Sequence, residues 1–239
     1  MVEKRYSSWC CGTVDSGCFR YYTASDQVLA VPGMVLFGNA GEAFAYENLW
    51  PDGNDRSVIA FNSAVMAEVG EALGLDDLAF RVSGVPPSPK FAALYGAVRQ
   101  LTGCERTLED ALFDLVAATL SIGRRPREWK RCGRQIARVL GVVKHLENSY
   151  AAPFCLEDLA TIANLSRFHF IRVFRQVTGV SPHQFIIGRR LRAAAERLRT
   201  TADPITRVAL ETGFNDVSNF NRTFRRAFGM SPRRWRAGG

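Results

Sequence analysis

Histidine is nearly missing from this 239-residue sequence. Its three copies, His145, His169 and His183, all fall in the second half, so the first half cannot supply the several imidazoles that a catalytic zinc or iron centre draws on. No Ser/His/Asp arrangement, phosphate-cradling glycine loop or paired-carboxylate motif appears either. The chain therefore reads as a non-enzyme. Long apolar runs are also absent: nothing approaches the roughly 18 residues that a membrane span needs, and the start, MVEKRYSSWCC, is polar and charged. A soluble, cytoplasmic protein with no membrane partner is expected. Six cysteines (Cys10, Cys11, Cys18, Cys104, Cys132, Cys155) are too few for a disulfide framework at this length, which fits a reducing compartment. No C-x-x-C pair and no low-complexity segment exists.

What is present is lopsided. The formal net charge of +8 conceals a net −4 over residues 1–130 and +12 over residues 131–239. In the second part every basic residue except Lys144 is arginine, and guanidinium forks match phosphate and guanine edges. A polyanion partner is expected there, with a merely solvated surface as the bland alternative. Before that, short runs such as CFRYY, QVLAV and SVIAF are separated by Gly, Asp and Asn clusters, the punctuation of strands and tight turns. Helical spacing takes over at residues 64–73 and 91–122, where Leu108, Ala111, Leu112, Leu115 and Val116 share a face. VSGVPPSPK is a proline-rich connector and GRRPREWKR a charged linker. The expected fold class is α+β. Residues 1–122 form a β-rich domain with a helical tail, residues 123–133 a linker, and residues 134–239 an all-α domain.

The second part contains a repeat. Residues 168–182 read FHFIRVFRQVTGVSP and residues 218–232 read SNFNRTFRRAFGMSP, with identity at Phe170/Phe220, Arg172/Arg222, Phe174/Phe224, Arg175/Arg225, Gly179/Gly229, Ser181/Ser231 and Pro182/Pro232. In the first copy Leu156, Leu159, Ala160 and Ala163 fall on one helical face, Asn164 and Leu165 make a joint, and Ser166 caps a second helix. That helix should bury Phe170, Val173, Phe174 and Val177, stop at Gly179, and leave Phe168, Ile171, Arg172 and Arg175 outward. Exposed Phe and Ile beside arginines suit thymine methyls and guanine edges; packing on a neighbouring helix is the alternative. In the second copy Asp203 is the expected cap with Pro204 at the first helical position, followed by Ile205, Val208, Ala209 and Thr212 inward and GFND as joint. Phe220, Thr223, Phe224 and Ala227 should be buried, leaving Ser218, Asn221, Arg222 and Arg225 outside. Two short helices with a tight turn are a helix-turn-helix, whose second helix can enter a major groove. Arg207, Arg226, Arg233, Arg234 and Arg236 read as phosphate neutralisers or solvated charges. Residues 182–200 form a connecting helix of roughly 28 Å, against about 34 Å between successive major grooves.

These residues resemble the AraC/XylS family of bacterial transcription regulators, over about Arg134 to Arg236: the FxRxFRxxxGxSP core of each copy, the GRRLRAAAERL connector, and ITRVALETGFNDVSNFNRTFRRAFGMSP. The resemblance implies a DNA-binding region with two helix-turn-helices and base contacts at Phe168, Ile171 and Arg172, then Val217, Ser218, Asn221 and Arg222. It implies double-stranded promoter DNA and RNA polymerase as partners, a homodimer, association with the bacterial nucleoid, and activation more often than repression. Residues 31–48, VPGMVLFGNAGEAFAYEN, are similar to the family's cupin-like sensor and dimerisation region, with helices 91–122 serving as dimer contact or as cover for the barrel.

A sensor needs a signal, and no cofactor is required by the sequence. Cys10, Cys11 and Cys18 flank a turn-like GTVDSG; if two strands meet across Val14 and Asp15, Cys11 and Cys18 lie opposite one another. Such a pair could take a soft metal, oxidise or trap an electrophile. Two further readings stay open: each cysteine is a small buried hydrophobe, or a pocket lined by Trp9, Phe19, Tyr21, Phe37, Phe44, Tyr46 and Trp50 takes a small-molecule effector. Competing functions are an architectural DNA coat without sequence choice and a cysteine-based DNA repair regulator, the latter poor because spaced cysteine pairs are lacking.

Overall fold

The computed structural model describes residues 4–24, 26–101, 115, 116, 118–120, 122 and 133–237. Residues 123–132 of the expected linker, Cys104, Cys132, Leu108, Ala111 and Leu112 lie outside them. Two compact units emerge: one takes residues 1–85 and 94–129, the other residues 86–93 and 130–239. The proline-rich connector (residues 82–90), expected to belong to the β-rich domain, thus divides; its residues 86–90, with 91–93 after them, cluster with the helical unit. Among the described residues no helix is long and apolar enough to cross a membrane.

Among the described residues the first unit has eight strands: β1 (Lys4–Arg5), β2 (Trp9–Ser16), β3 (Phe19–Thr23), β4 (Gln27–Ala30), β5 (Val35–Gly38), β6 (Ala43–Asn48), β7 (Asp55–Phe61) and β8 (Gly84–Val85). They form two antiparallel four-stranded sheets, ordered β1-β6-β3-β4 and β7-β2-β5-β8. Two helices, α1 (Ser63–Leu73) and α2 (Ala92–Leu101), follow β7 and β8 in the chain. Here the sequence expectation fails at one place. GTVDSG is not a turn between paired strands; its first residues continue β2 to Ser16, and the chain changes sheet at Gly17, whose φ of +79° suits glycine. A side chain there would also run into the Gly53 carbonyl. Asp15, expected in the turn, instead accepts from Thr13 Oγ1 (2.7 Å), Ser57 Oγ (2.6 Å), Tyr95 OH (2.9 Å) and Arg99 (3.0 Å). One carboxylate therefore ties β2, β7 and α2 together.

The helical unit runs α3 (Gly133–Asn148), α4 (Leu156–Ile162), α5 (Arg167–Thr178), α6 (Pro182–Thr200), α7 (Ile205–Glu211), α8 (Val217–Phe228) and α9 (Pro232–Arg236). The stripes predicted from spacing are buried at Leu159, Ala160, Ala163, Phe170, Val173, Phe174 and Val177 in the first copy and at Val208, Ala209, Thr212, Phe220, Phe224 and Ala227 in the second; Leu156 and Ile205, each the first residue of its helix, are only half-buried. Edge-on aromatic pairs knit each core, Phe170 to Phe174 to Phe185 in one and Phe214 to Phe220 in the other. Thr223 departs from the expectation. It is only half-buried, because its hydroxyl turns to Asn219 Oδ1 at 3.4 Å. Asp203 is not the cap of α7 either; its carboxylate accepts from Arg197 at 2.7 Å, and Pro204 holds the cap position. The second core also admits Ala92, from the segment 86–93, beside Leu191, Ala194 and Phe220.

Phe224 touches Phe220, Phe228 and Trp235 at ring-centroid distances of 5.5, 4.3 and 6.1 Å. Removing it should leave a cavity that three rings cannot collapse into. Phe224→Ala is expected to lower stability by about 3–5 kcal/mol, read as a shift of the far-UV helical signal in urea.

Candidate nucleic-acid interface

Each helix pair needs the chain to reverse within a few residues, and both do so through one left-handed residue. In the first turn it is Asn164 (φ 50°), in the second Gly213 (φ 90°); asparagine is among the few non-glycine types that enter this region at low cost. Asn164 precedes α5 by three residues, whereas Gly213 precedes α8 by four. The second turn is longer by one, and it uses the space to bury Phe214. Sequence reasoning took Phe214 for a joint residue; the signal available was an aromatic just ahead of an aromatic-rich stripe.

The helix starts differ as well. Asp216 accepts from the backbone N–H of Ser218 (3.0 Å) and of Asn219 (2.8 Å), fixing the first turn of α8 and placing negative charge at its positive end. Ser166 holds the same place before α5 without a side-chain hydrogen bond to it. Both helices end on a left-handed glycine, Gly179 and Gly229.

Outward of these frames lie the residues selected from sequence. Phe168 is 83% exposed, a large desolvation debt for an aromatic ring with nothing over it. Arg172 and Arg175 are exposed beside it, and Ile171 is half-buried. On α8, Ser218, Asn221, Arg222 and Arg225 are exposed. Val217 is half-buried and packs against the second core, so its outer edge alone faces away. Arg222 donates to Asn219 Oδ1 at 3.3 Å, a contact that stiffens the guanidinium near the start of α8; Asn219 went unnoticed because it lies beside the outward face, one turn before Thr223.

Several arginines expected to neutralise phosphate are engaged inside the protein. Arg207 pairs with Glu211 at 2.8 Å and Arg236 donates to the carbonyls of Leu198 (3.3 Å) and Asp203 (2.5 Å). In the connecting helix, Arg189 and Arg192 reach Glu147 at 2.7 and 3.4 Å. Arg226, Arg233 and Arg234 remain exposed.

The cysteine arrangement is corrected by the strand register. Cys11 faces Phe37 on β5 and Ile59 on β7, while Cys18 precedes β3 in the other sheet, so the two are not the cross-strand neighbours that a hairpin across Val14 and Asp15 would make them. Among the described residues no three His, Cys, Asp or Glu side chains gather to hold a metal. Cys10, Cys11 and Cys18 are buried. Burial pushes the Cys10 thiol up to about 11 and raises Cys11 further, which starves both of thiolate at neutral pH. Of the effector-pocket aromatics, Phe19, Tyr21 and Phe37 are buried in the core.

The helix-turn-helix domain family matches residues 159–238. Among curated proteins the chain is similar to the probable transcriptional regulator LumQ of Photobacterium leiognathi, 31% identical over 91 residues, 38% of this chain and 37% of that protein. It is likewise similar to the transcriptional activator RhaS of Klebsiella pneumoniae, 34% identical over 102 residues, 43% of this chain and 37% of that one. Among solved structures it resembles an AraC-type DNA-binding domain protein of Chromobacterium violaceum, with 29% identity, 42% of this chain, 90% of that chain and a TM-score of 0.40. The matched stretch lies within the helical unit, which is thus similar to the helix-turn-helix domains of such transcriptional regulators. The chain spans little more than a third of the length of the curated relatives quoted, and the stretch that matches the helix-turn-helix family holds every outward residue named above.

Two outcomes follow for the helical unit and the strands before it. Asp216→Ala should cost about 1 kcal/mol of stability, and Ser166→Ala clearly less, in paired urea titrations. In the native protein at pH 7, mass-mapped alkylation should modify exposed Cys155 at least about ten-fold faster than Cys10 or Cys11; the rate at Cys10 should rise as pH climbs toward 11, since only the thiolate reacts.

Proposed function

We propose that this protein is a sequence-specific transcription regulator in which α4–α5 and α7–α8 act as two helix-turn-helix readers of promoter DNA. The observation that carries this reading is the outward Phe168 beside Arg172 and Arg175 on α5: the two arginines recur as Arg222 and Arg225 on α8, while Phe168 and Ile171 give way to Ser218 and Asn221. A solvated helix has no use for a bare phenylalanine next to arginines; a groove offers thymine methyls and guanine edges to both. The +12 charge of residues 131–239 supplies the non-specific attraction to phosphate. Because the two faces differ, the half-sites differ, and the target is asymmetric.

The β-rich unit is taken as the cupin-like sensor and dimerisation part, with RNA polymerase as the further partner and activation as the output, the role that the name of the RhaS relative carries. Of the two signals considered, a thiol event and a small molecule, the burial of Cys10 and Cys11 supports the second. An architectural coat without sequence choice is the competing reading, and one variant separates them. Arg222→Ala should weaken binding to the selected duplex by about 1–3 kcal/mol and relax discrimination at one base position, measured by binding to a panel of single-base variants. Equal weakening across the panel would mean phosphate contact alone.

A further inference from the structure

We propose that Arg190, in the middle of α6, fixes the spacing between the two reading helices and so sets the spacing demanded of the DNA target; the inference rests on the two-reader function above. Arg190 is only 9% exposed, and desolvation holds its guanidinium below the usual arginine range. Its Nε donates to the Tyr150 carbonyl at 2.7 Å and its Nη2 to the Ala152 carbonyl at 2.9 Å. Those carbonyls belong to the bend between α3 and α4, the lead-in to the first reader. The turn of the second reader closes the other side. A Cβ placed on Gly213 would lie 2.7 Å from Arg190 Nε and 2.7 Å from the Ala151 carbonyl.

Three segments therefore meet at one guanidinium: the connecting helix, the entry to one reader and the turn of the other. A buried cation is a poor device for stability alone, since an apolar side chain of similar volume often serves as well. A planar fork that bonds two carbonyls at once is a good device for orientation, because it fixes direction as well as distance. Orientation matters here: one base pair moves a half-site by about 3.4 Å along the duplex and about 35° around it. Play at the Arg190 joint decides whether both helices can seat together.

The test uses the full chain and the duplex it selects from genomic fragments. Companion duplexes carry one base pair more or less between the half-sites, and another has one half-site scrambled. Wild type should lose about ten-fold or more in affinity with either spacer change, as the second contact is forfeited. Arg190→Met, which fills the space without donors, should weaken the original duplex about ten-fold, shrink the spacer penalty to about three-fold or less, and bind the scrambled duplex within about two-fold of wild type. Arg190→Lys, a milder change with one donor head, should fall between. A full spacer penalty in Arg190→Met, or equal weakening on every duplex, overturns the proposal. So does loss of helicity in both variants, which would make Arg190 a residue of stability. Wild-type indifference to spacing would instead remove the two-reader function, and the proposal with it.

Discussion

Helix α6 has to serve two cores with one rigid rod. Phe185, near its start, closes the ring cluster of the first reader, and Leu191, Ala194, Ala195 and Leu198, toward its end, lie in the core of the second. Ten of its nineteen residues are buried, which is why a connector that reads as polar and arginine-rich does not behave as a free strut. Four of its five arginines bond within the protein, Arg189 and Arg192 to Glu147, Arg190 to the Tyr150 and Ala152 carbonyls, and Arg197 to Asp203 and Glu211, while Arg199 is exposed. Trp235 adds a bond from its indole N–H to the Ala195 carbonyl at 3.1 Å. The rod is thus held from both ends, and the readers inherit its geometry.

With the cores secured by paired aromatics, the opposite faces of α5 and α8 are free to differ. The two copies have diverged in the turn, in the cap and in the outward residues while keeping Phe170/Phe220 and Phe174/Phe224 buried. Interior packing tolerates little change in volume, whereas an exposed position carries no such restraint. That contrast is what lets a duplicated unit present two different outward faces.

The β-rich unit depends on a different constraint, the change of sheet at Gly17. It separates Cys11 from Cys18 and turns Asp15 into a hub for Thr13, Ser57, Tyr95 and Arg99. Arg56 lies over the rings of Phe19 and Tyr46 at 5.1 and 4.6 Å, and Tyr6 and Tyr21 share a 2.7 Å hydroxyl contact.

The reading helices, their buried stripes and their outward residues were legible in the sequence because they depend on spacing within a single helix, and periods of 3.6 residues survive in one dimension. Helix α6 was legible in extent for the same reason, bounded by Pro182 and the break before Pro204. What the sequence could not express is pairing between distant segments. A hairpin across GTVDSG satisfied local turn chemistry, yet β2 gained more by pairing with β5 and β7, and the backbone ladder outweighed the turn residues. Asp203 looked like a cap until Arg197 claimed it, and Arg190 looked like a helix former until Tyr150, Ala152 and Gly213 converged on it. Local periodicity therefore determined what each helix presents. Only the tertiary structure decided which charges remain available to present it, because a buried or paired arginine is chosen by partners far along the chain.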